Sequence, residues 1–144
     1  MRSLLCKTAA AGLAGTLGLA SASSWAVTNH VVTVGGAAGN RFTDAQTGTN
    51  VTNIAAGDTV TFTNAGGFHN AESDPGAITS FHCSDVCGTS PTGDASSNLW
   101  SATVTFPTPG TIGYHCNIHG APGQGMFGTI NVTVPVELQS FDVD

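Results

Sequence analysis

The sequence predicts an all-β fold, a Greek-key β-sandwich in a single domain, and three observations lead there. Short runs alternate apolar and polar residues with period two, the spacing of a half-buried strand. Clusters of Gly, Pro and Asn bound these runs at turn-like intervals. No segment sustains a 3.6-residue apolar period. The composition agrees: 19 Gly in 144 residues, 40% hydrophobic and 8% charged. Such a chain is too apolar and too weakly charged for disorder, and its residue mix is not that of a coiled coil.

Residues 1–26 are set apart from the fold as a secretory signal peptide. Arg2 and Lys7 flank the start, residues 8–20 form an apolar run of small side chains, and Ser24-Trp25-Ala26 supplies small residues at a cleavage site. Cleavage after Ala22 is a competing choice. Cys6 precedes the apolar run and leaves with it. The run falls short of the ~20 apolar residues of a membrane span and no later segment reaches that length, so the mature chain is not expected to insert in a membrane.

Taking 26 residues from 144 leaves 118, and the charge changes character. Arg41 then stands alone against nine Asp and Glu, a net charge of −8 with no Lys. A chain so poor in cations is not a nucleic-acid binder, because phosphate contacts run on clustered Lys and Arg. Three cysteines remain, Cys83, Cys87 and Cys116. The expected location is periplasmic or secreted, where thiols oxidise, so an odd count leaves one thiol to be accounted for.

The domain is expected over 27–134. Residues 30–34 form a first strand, ended by Gly35-Gly36, and 51–54 a second. In 58–64, Val60 and Phe62 alternate with threonines. The cleanest alternation is 99–106, with Trp100, Ala102, Val104 and Phe106 on one face and Ser101, Thr103 and Thr105 on the other. Strands at 111–116 and 127–134 follow, the latter with Ile130, Val132 and Val134 on one face. Pro107 and Pro109-Gly110 precede the first of these two, and the Gly/Pro-rich stretch 119–125 separates them. Residues 72–98 read as a long polar connection with room for a short helix or an ordered loop, and 135–144 as an acidic tail or a short extra strand. Several short strands in ~118 residues suit a sandwich, and burial of roughly two-thirds of the unfolded surface suffices for one core.

Potential metal ligands concentrate in two places: Gly66-Gly67-Phe68-His69-Asn70, and Cys116, His119 and Met126 around the Gly/Pro stretch. Singly, each has a plain reading, His69 as a structural histidine, Cys116 as a small buried thiol and Met126 as strand packing. Together they offer one thiolate, two imidazoles and a weak thioether. Soft sulfur favours Cu(I) and imidazole serves both oxidation states, so the set suits redox-active copper, whereas zinc would gain no redox role there. Cys116 at a strand end, His119 just beyond it and Met126 at the start of the next strand allow one hairpin end to present all three.

On these residues the chain resembles the cupredoxins, specifically the plastocyanin and pseudoazurin group of small blue copper proteins. The resemblance covers GDTVTFTNAGGFHN (57–70) and PGTIGYHCNIHGAPGQGMFGTINV (109–132). It implies one type 1 copper site alternating between Cu+ and Cu2+, with His69, Cys116 and His119 as strong ligands and Met126 as the axial one. It also implies that Asn70 braces the ligand loop, its backbone N–H reaching the Cys116 sulfur. The chain departs from the plastocyanin-like pattern in having six residues between His119 and Met126 in place of four, which puts Gln124, itself a possible axial ligand, where that count would put the Met. Gly125-Met126-Phe127-Gly128 matches the family's approach to its last strand, which favours Met126.

Cys83 and Cys87 are expected to pair in the polar connection, leaving Cys116 for the metal. A rival zinc site from Cys83, Cys87, His115 and His119 would need to span a 27-residue gap unlike finger spacing. His115 points away from Cys116 in an extended strand, and His30 and His82 are given no metal role. The function expected is a monomeric electron carrier between redox protein partners, a basic partner being suited to a charge of −8. A copper-delivery protein whose metal is cargo and a sandwich module of an extracellular assembly are the alternatives. Catalysis is not expected, since four ligands leave copper no open position for a substrate.

Overall fold

The strands form because β-branched and aromatic residues recur every second position, and they stack as two sheets because one face of each is apolar. The computed structural model describes residues 26–135. In chain order the strands are β1 (Asn29–Val34), β2 (Phe42–Asp44), β3 (Val51–Ala55), β4 (Thr59–Asn64), β5 (Ala71–Ser73), β6 (His82–Cys83), β7 (Ser101–Thr105), β8 (Gly110–Ala121) and β9 (Gln124–Thr133). One sheet has the order β2-β1-β4-β7 and the other β3-β9-β8-β5-β6. Each sheet contains one parallel pair, β1 with β4 and β3 with β9, among antiparallel neighbours. The expected signal segment 1–26 lies outside the described residues except for Ala26, as does the expected tail beyond Pro135.

The alternation read from 58–64 and 99–106 holds residue by residue. Val60, Phe62, Trp100, Ala102 and Phe106 are buried and Val104 half-buried, while Ser101, Thr103 and Thr105 face solvent and Thr59, Thr61 and Thr63 are half-buried. Between the sheets the aromatic rings meet edge to face: Tyr114 lies 4.8 Å from Phe42 and 5.2 Å from Phe62, centroid to centroid, and Phe62 stacks on Phe81 at 5.3 Å. These rings form the centre of one contiguous core.

Three features differ from the sequence reading. β2 is too short to show a period, and it exists because Phe42 buries against Tyr114 while Asp44 accepts the N–H groups of Gln46 and Thr47 in a tight turn. The polar connection 72–98 holds the end of β5, the short β6 and an ordered loop, and among the described residues the helical element is a 3-10 turn at Gly36–Ala38. The Gly/Pro stretch after His119 is a hairpin end, with Gly120 paired to Gly125 and Ala121 to Gln124. Pro122-Gly123 makes its tip, and the φ of 69° at Gly123 is the conformation a turn with Pro before Gly requires. Two strands therefore run through what reads as a linker.

Asp58 ties the far end of the sandwich together. Its carboxylate accepts the N–H of Thr28 at 2.8 Å and of Ala55 at 2.9 Å, with the His30 ring 3.4 Å away. Burial alone would push its pKa up, but the two N–H donors and His30 outweigh it and hold the group below the ordinary carboxylate value. A depressed folded-state pKa contributes stability that is present above the unfolded value of about 3.9 and is lost as pH falls through the folded one. Asp58→Asn is expected to cost on the order of 1–2 kcal/mol at pH 7 in urea unfolding, and the gap to wild type should close below about pH 4. A gap that persists undiminished in acid would show that the charge is not what stabilises this end.

Candidate metal centre

Cys116 and His119 stand together because the β8–β9 ladder breaks there. His115 pairs with Phe127 and Gly120 with Gly125, so the four residues Cys116–His119 oppose the single residue Met126. This wide bulge takes the segment out of regular pairing and turns two side chains three positions apart toward one point. Cys116 and Met126 are buried and His119 is half-buried. Gln124 is exposed, paired with Ala121 beside the hairpin tip. The residues between the bulge and Met126 form the hairpin end, and Met126 lies opposite the segment that carries Cys116 and His119.

His69 arrives from the turn after β4, 47 residues earlier in the chain than Cys116. Its ring is buried and lies against backbone: a Cβ added at Gly35 or Gly67 would overlap the edge of the imidazole carrying Nε2. Only glycine permits that approach, and it leaves Nδ1 facing the Cys116 sulfur at 3.8 Å. His119 presents its own Nδ1 to the same sulfur at 3.6 Å, and the two rings lie 4.8 Å apart. The three donor atoms all fall within 4.8 Å of one another. Burial, and next the neighbouring His119, keeps the His69 pKa below the ordinary histidine value, which favours the neutral imidazole that metal binding needs.

The spacing itself tests the fit. Metal–nitrogen and metal–sulfur bonds of about 2.0–2.3 Å, opened to tetrahedral or trigonal angles, separate N from S by roughly 3.5–3.8 Å. The two N–S distances here fall in that interval. Two imidazoles and a buried thiol form a donor set suited to copper, with soft sulfur for the reduced ion. Asn70 joins the two halves of the centre, its side-chain Oδ1 accepting the Asn117 N–H at 2.9 Å. This side-chain bond braces the loop as the resemblance implies, whereas among the described residues no hydrogen bond runs from the Asn70 backbone N–H to the Cys116 sulfur.

The remaining histidines are spoken for differently. His115 lies 2.7 Å from Asp74, His30 lies beside Asp58, and His82 lies between Glu72 and Asp94 at 3.8 and 3.6 Å. Each thus has a carboxylate neighbour, whereas His69 and His119 face a thiol. The rival zinc set is excluded by Cys83 and Cys87, which are bonded to each other as a disulfide and leave Cys116 as the free thiol among the described residues. What the sequence does not show is the close support of His69 by Gly35 and Gly67: Gly35-Gly36 reads as the end of a strand and Gly66-Gly67 as part of the motif around His69.

An all-β sandwich with two imidazoles and a thiol converging at one end is a metal-binding β-sandwich, its centre matching a type 1 copper site. The profile of the family described as copper binding proteins, plastocyanin/azurin family, matches residues 32–133, and the chain belongs to that family. Among solved structures it is similar to an oxidised amicyanin variant, at 22% identity over 78% of this chain and 87% of that one with a TM-score of 0.49. It is similar also to native pseudoazurin from Hyphomicrobium denitrificans, at 23% identity over 73% and 75% with a TM-score of 0.49. No curated protein sequence matches it.

Gly67→Ala is expected to lower the affinity of the centre for copper by about tenfold or more while the fold survives, because the added methyl displaces the His69 ring. Titration with Cu(II) followed by thermal unfolding of the apo and loaded forms would measure both. Affinity equal to wild type would show that the ring does not depend on this contact.

Proposed function

We propose that the protein is a one-electron carrier with a type 1 copper centre held by His69, Cys116, His119 and, axially, Met126. The observation that carries the reading is the bulge in which Cys116 and His119 oppose a buried Met126, with His69 closing the set from the other side. Copper bound there supplies reversible one-electron exchange between Cu(I) and Cu(II).

The chain's own part is to hold donors still. Cys116, His69 and Met126 are buried in the core end of the sandwich, and Asn70 pins the bulge from outside the ligand set. Donors held by packing move little when the charge of the ion changes, which suits repeated exchange. His119 is the half-buried member, so its ring is the side chain that reaches toward a partner. Phe68 and Ile118, next in sequence to the two imidazoles, are 50% and 55% exposed and offer apolar ground for a brief encounter. Burial of the thiol also favours retention of the metal over its delivery as cargo. No catalytic role is assigned.

A periplasmic or secreted location accords with the Cys83–Cys87 disulfide, which persists where thiols oxidise. Among the described residues no helix is long and apolar enough to cross a membrane. The partners proposed are redox proteins. Basic ones would be steered by the mature charge of −8, and this carrier is proposed to act as a monomer.

Cu(II) added to the apo protein should produce an intense red-region thiolate-to-copper band that disappears in Cys116→Ser. Met126→Leu should shift the spectrum and raise or lower the reduction potential, while Gln124→Leu, at the exposed hairpin end, should leave both unchanged. A colourless protein that holds zinc tightly, or a strong response to Gln124→Leu alone, would sink this assignment. Electron exchange with a basic partner protein should slow steeply between 10 and 500 mM salt as screening sets in (concentrations on the order of those over which the Debye length falls from ~30 to a few Å). Rates indifferent to salt would remove the steering role of the charge.

A further inference from the structure

We propose that the segment between β6 and β7, anchored by the Cys83–Cys87 disulfide, is a clamp on the turn that carries His69, with Trp100 and Gly93 as positioning residues for the copper centre. The inference rests on the copper reading above and extends it to residues that supply no ligand atom.

His69 lies outside the sheet ladders, so its backbone must find partners elsewhere. Its N–H donates to the Ser96 carbonyl at 3.2 Å, and its carbonyl accepts the Ser96 N–H at 3.0 Å and the indole N–H of Trp100 at 3.2 Å. Asn64, the last residue of β4, donates through its side-chain amide to the carbonyls of Gly67, Ser96 and Asn98, tying the turn before His69 to the same segment. Asn70 leans on it too, donating through Nδ2 to the Gly93 carbonyl at 3.3 Å while its Oδ1 holds Asn117. The segment from Gly93 to Trp100 is therefore the scaffold for both His69 and its neighbour.

The scaffold is itself anchored at the disulfide. Cys83 is fully buried at the end of β6 and is bonded to Cys87 four residues on. Directly after the disulfide the Gly88 N–H donates to the His82 carbonyl at 2.9 Å, and the Ser84 hydroxyl bonds the Thr92 carbonyl. Gly93 is buried so closely on this turn that an added Cβ would overlap the His82 carbonyl and stand 2.7 Å from that of Gly88. Contacts run without a break from the disulfide through Gly93 and Asn70 to Asn117, the residue after Cys116. A site held within about half an ångström of its working geometry depends on such support.

The test uses the full mature protein, apo and copper-loaded. Trp100→Phe keeps an aromatic ring and removes the donor; Cys83→Ser/Cys87→Ser removes the disulfide without leaving an odd thiol. Each is expected to weaken copper affinity about tenfold and to shift the thiolate-to-copper band. Each should also speed amide exchange at His69 and Ser96 in the apo protein by several-fold or more, as loss of a buried hydrogen bond does. Leu99→Ala, within the same segment but with its side chain 79% exposed, should change none of these. If the double variant does not fold, Gly93→Ala and Trp100→Phe decide. Folded variants with wild-type affinity, band and exchange would overturn the clamp. A wild-type protein without the band would overturn the copper reading, yet apo amide exchange would still decide whether the segment holds His69.

Discussion

The approach of the His69 imidazole to the Cys116 thiol, 3.8 Å across 47 residues of chain, constrains the whole ligand end of the molecule. A ring nitrogen and a sulfur can be brought so near only if the turn after β4 and the bulge of β8, which belong to different sheets, are fixed against each other. The packing of Tyr114 on Phe42 and Phe62 fixes the sheets, since Tyr114 sits on β8 two residues before Cys116 and Phe62 sits on β4. Core and centre are thus parts of one structure, because the residues that bury most deeply are neighbours in sequence of those that converge.

That arrangement explains an allocation of polar groups along the sandwich. Buried or half-buried histidines away from the centre have carboxylate neighbours. Among the described residues no carboxylate joins the centre, and burial, with His119 beside it, holds the His69 pKa below the ordinary histidine value. A site of two imidazole nitrogens and one thiol favours a soft or borderline cation over a hard one. Chemistry and burial therefore select the metal together, with the sheets supplying the low-dielectric surroundings and the bulge supplying the geometry.

The hairpin that carries Cys116, His119 and Met126 also shows how such a fold tolerates length. Residues added beyond the bulge continue the two strands and end in a Pro-Gly tip, so the ladder lengthens outward while the positions inside stay put. Residues inside the bulge have no such outlet, since Cys116–His119 stand opposite Met126 alone. Counting residues between ligands is for this reason a weaker guide than knowing which strand pair they belong to.

The period-two runs at 58–64 and 99–106 were enough to establish an all-β sandwich and even which residues face its core, because alternation on a strand maps directly onto its two faces. The donor types were equally plain, as a thiol, two imidazoles and a thioether announce their chemistry wherever they sit. The convergence of Cys116 and His119 was expected from their spacing and that of His69 from donor chemistry and resemblance, and the fold supplied the physical causes in the ladder break opposite Met126 and the turn after β4. Short pieces escaped the sequence: β2, β5 and β6 have two or three residues and no measurable period, and their existence depends on partners elsewhere in the chain. The hairpin end at 119–125 escaped for a related reason, since Gly and Pro signal a turn without saying whether strands run up to it. The support of His69 by Ser96, Trp100, Gly35 and Gly67 lay wholly with the tertiary structure. Backbone carbonyls and missing Cβ atoms have no sequence period, and they act only once distant segments are folded against one another.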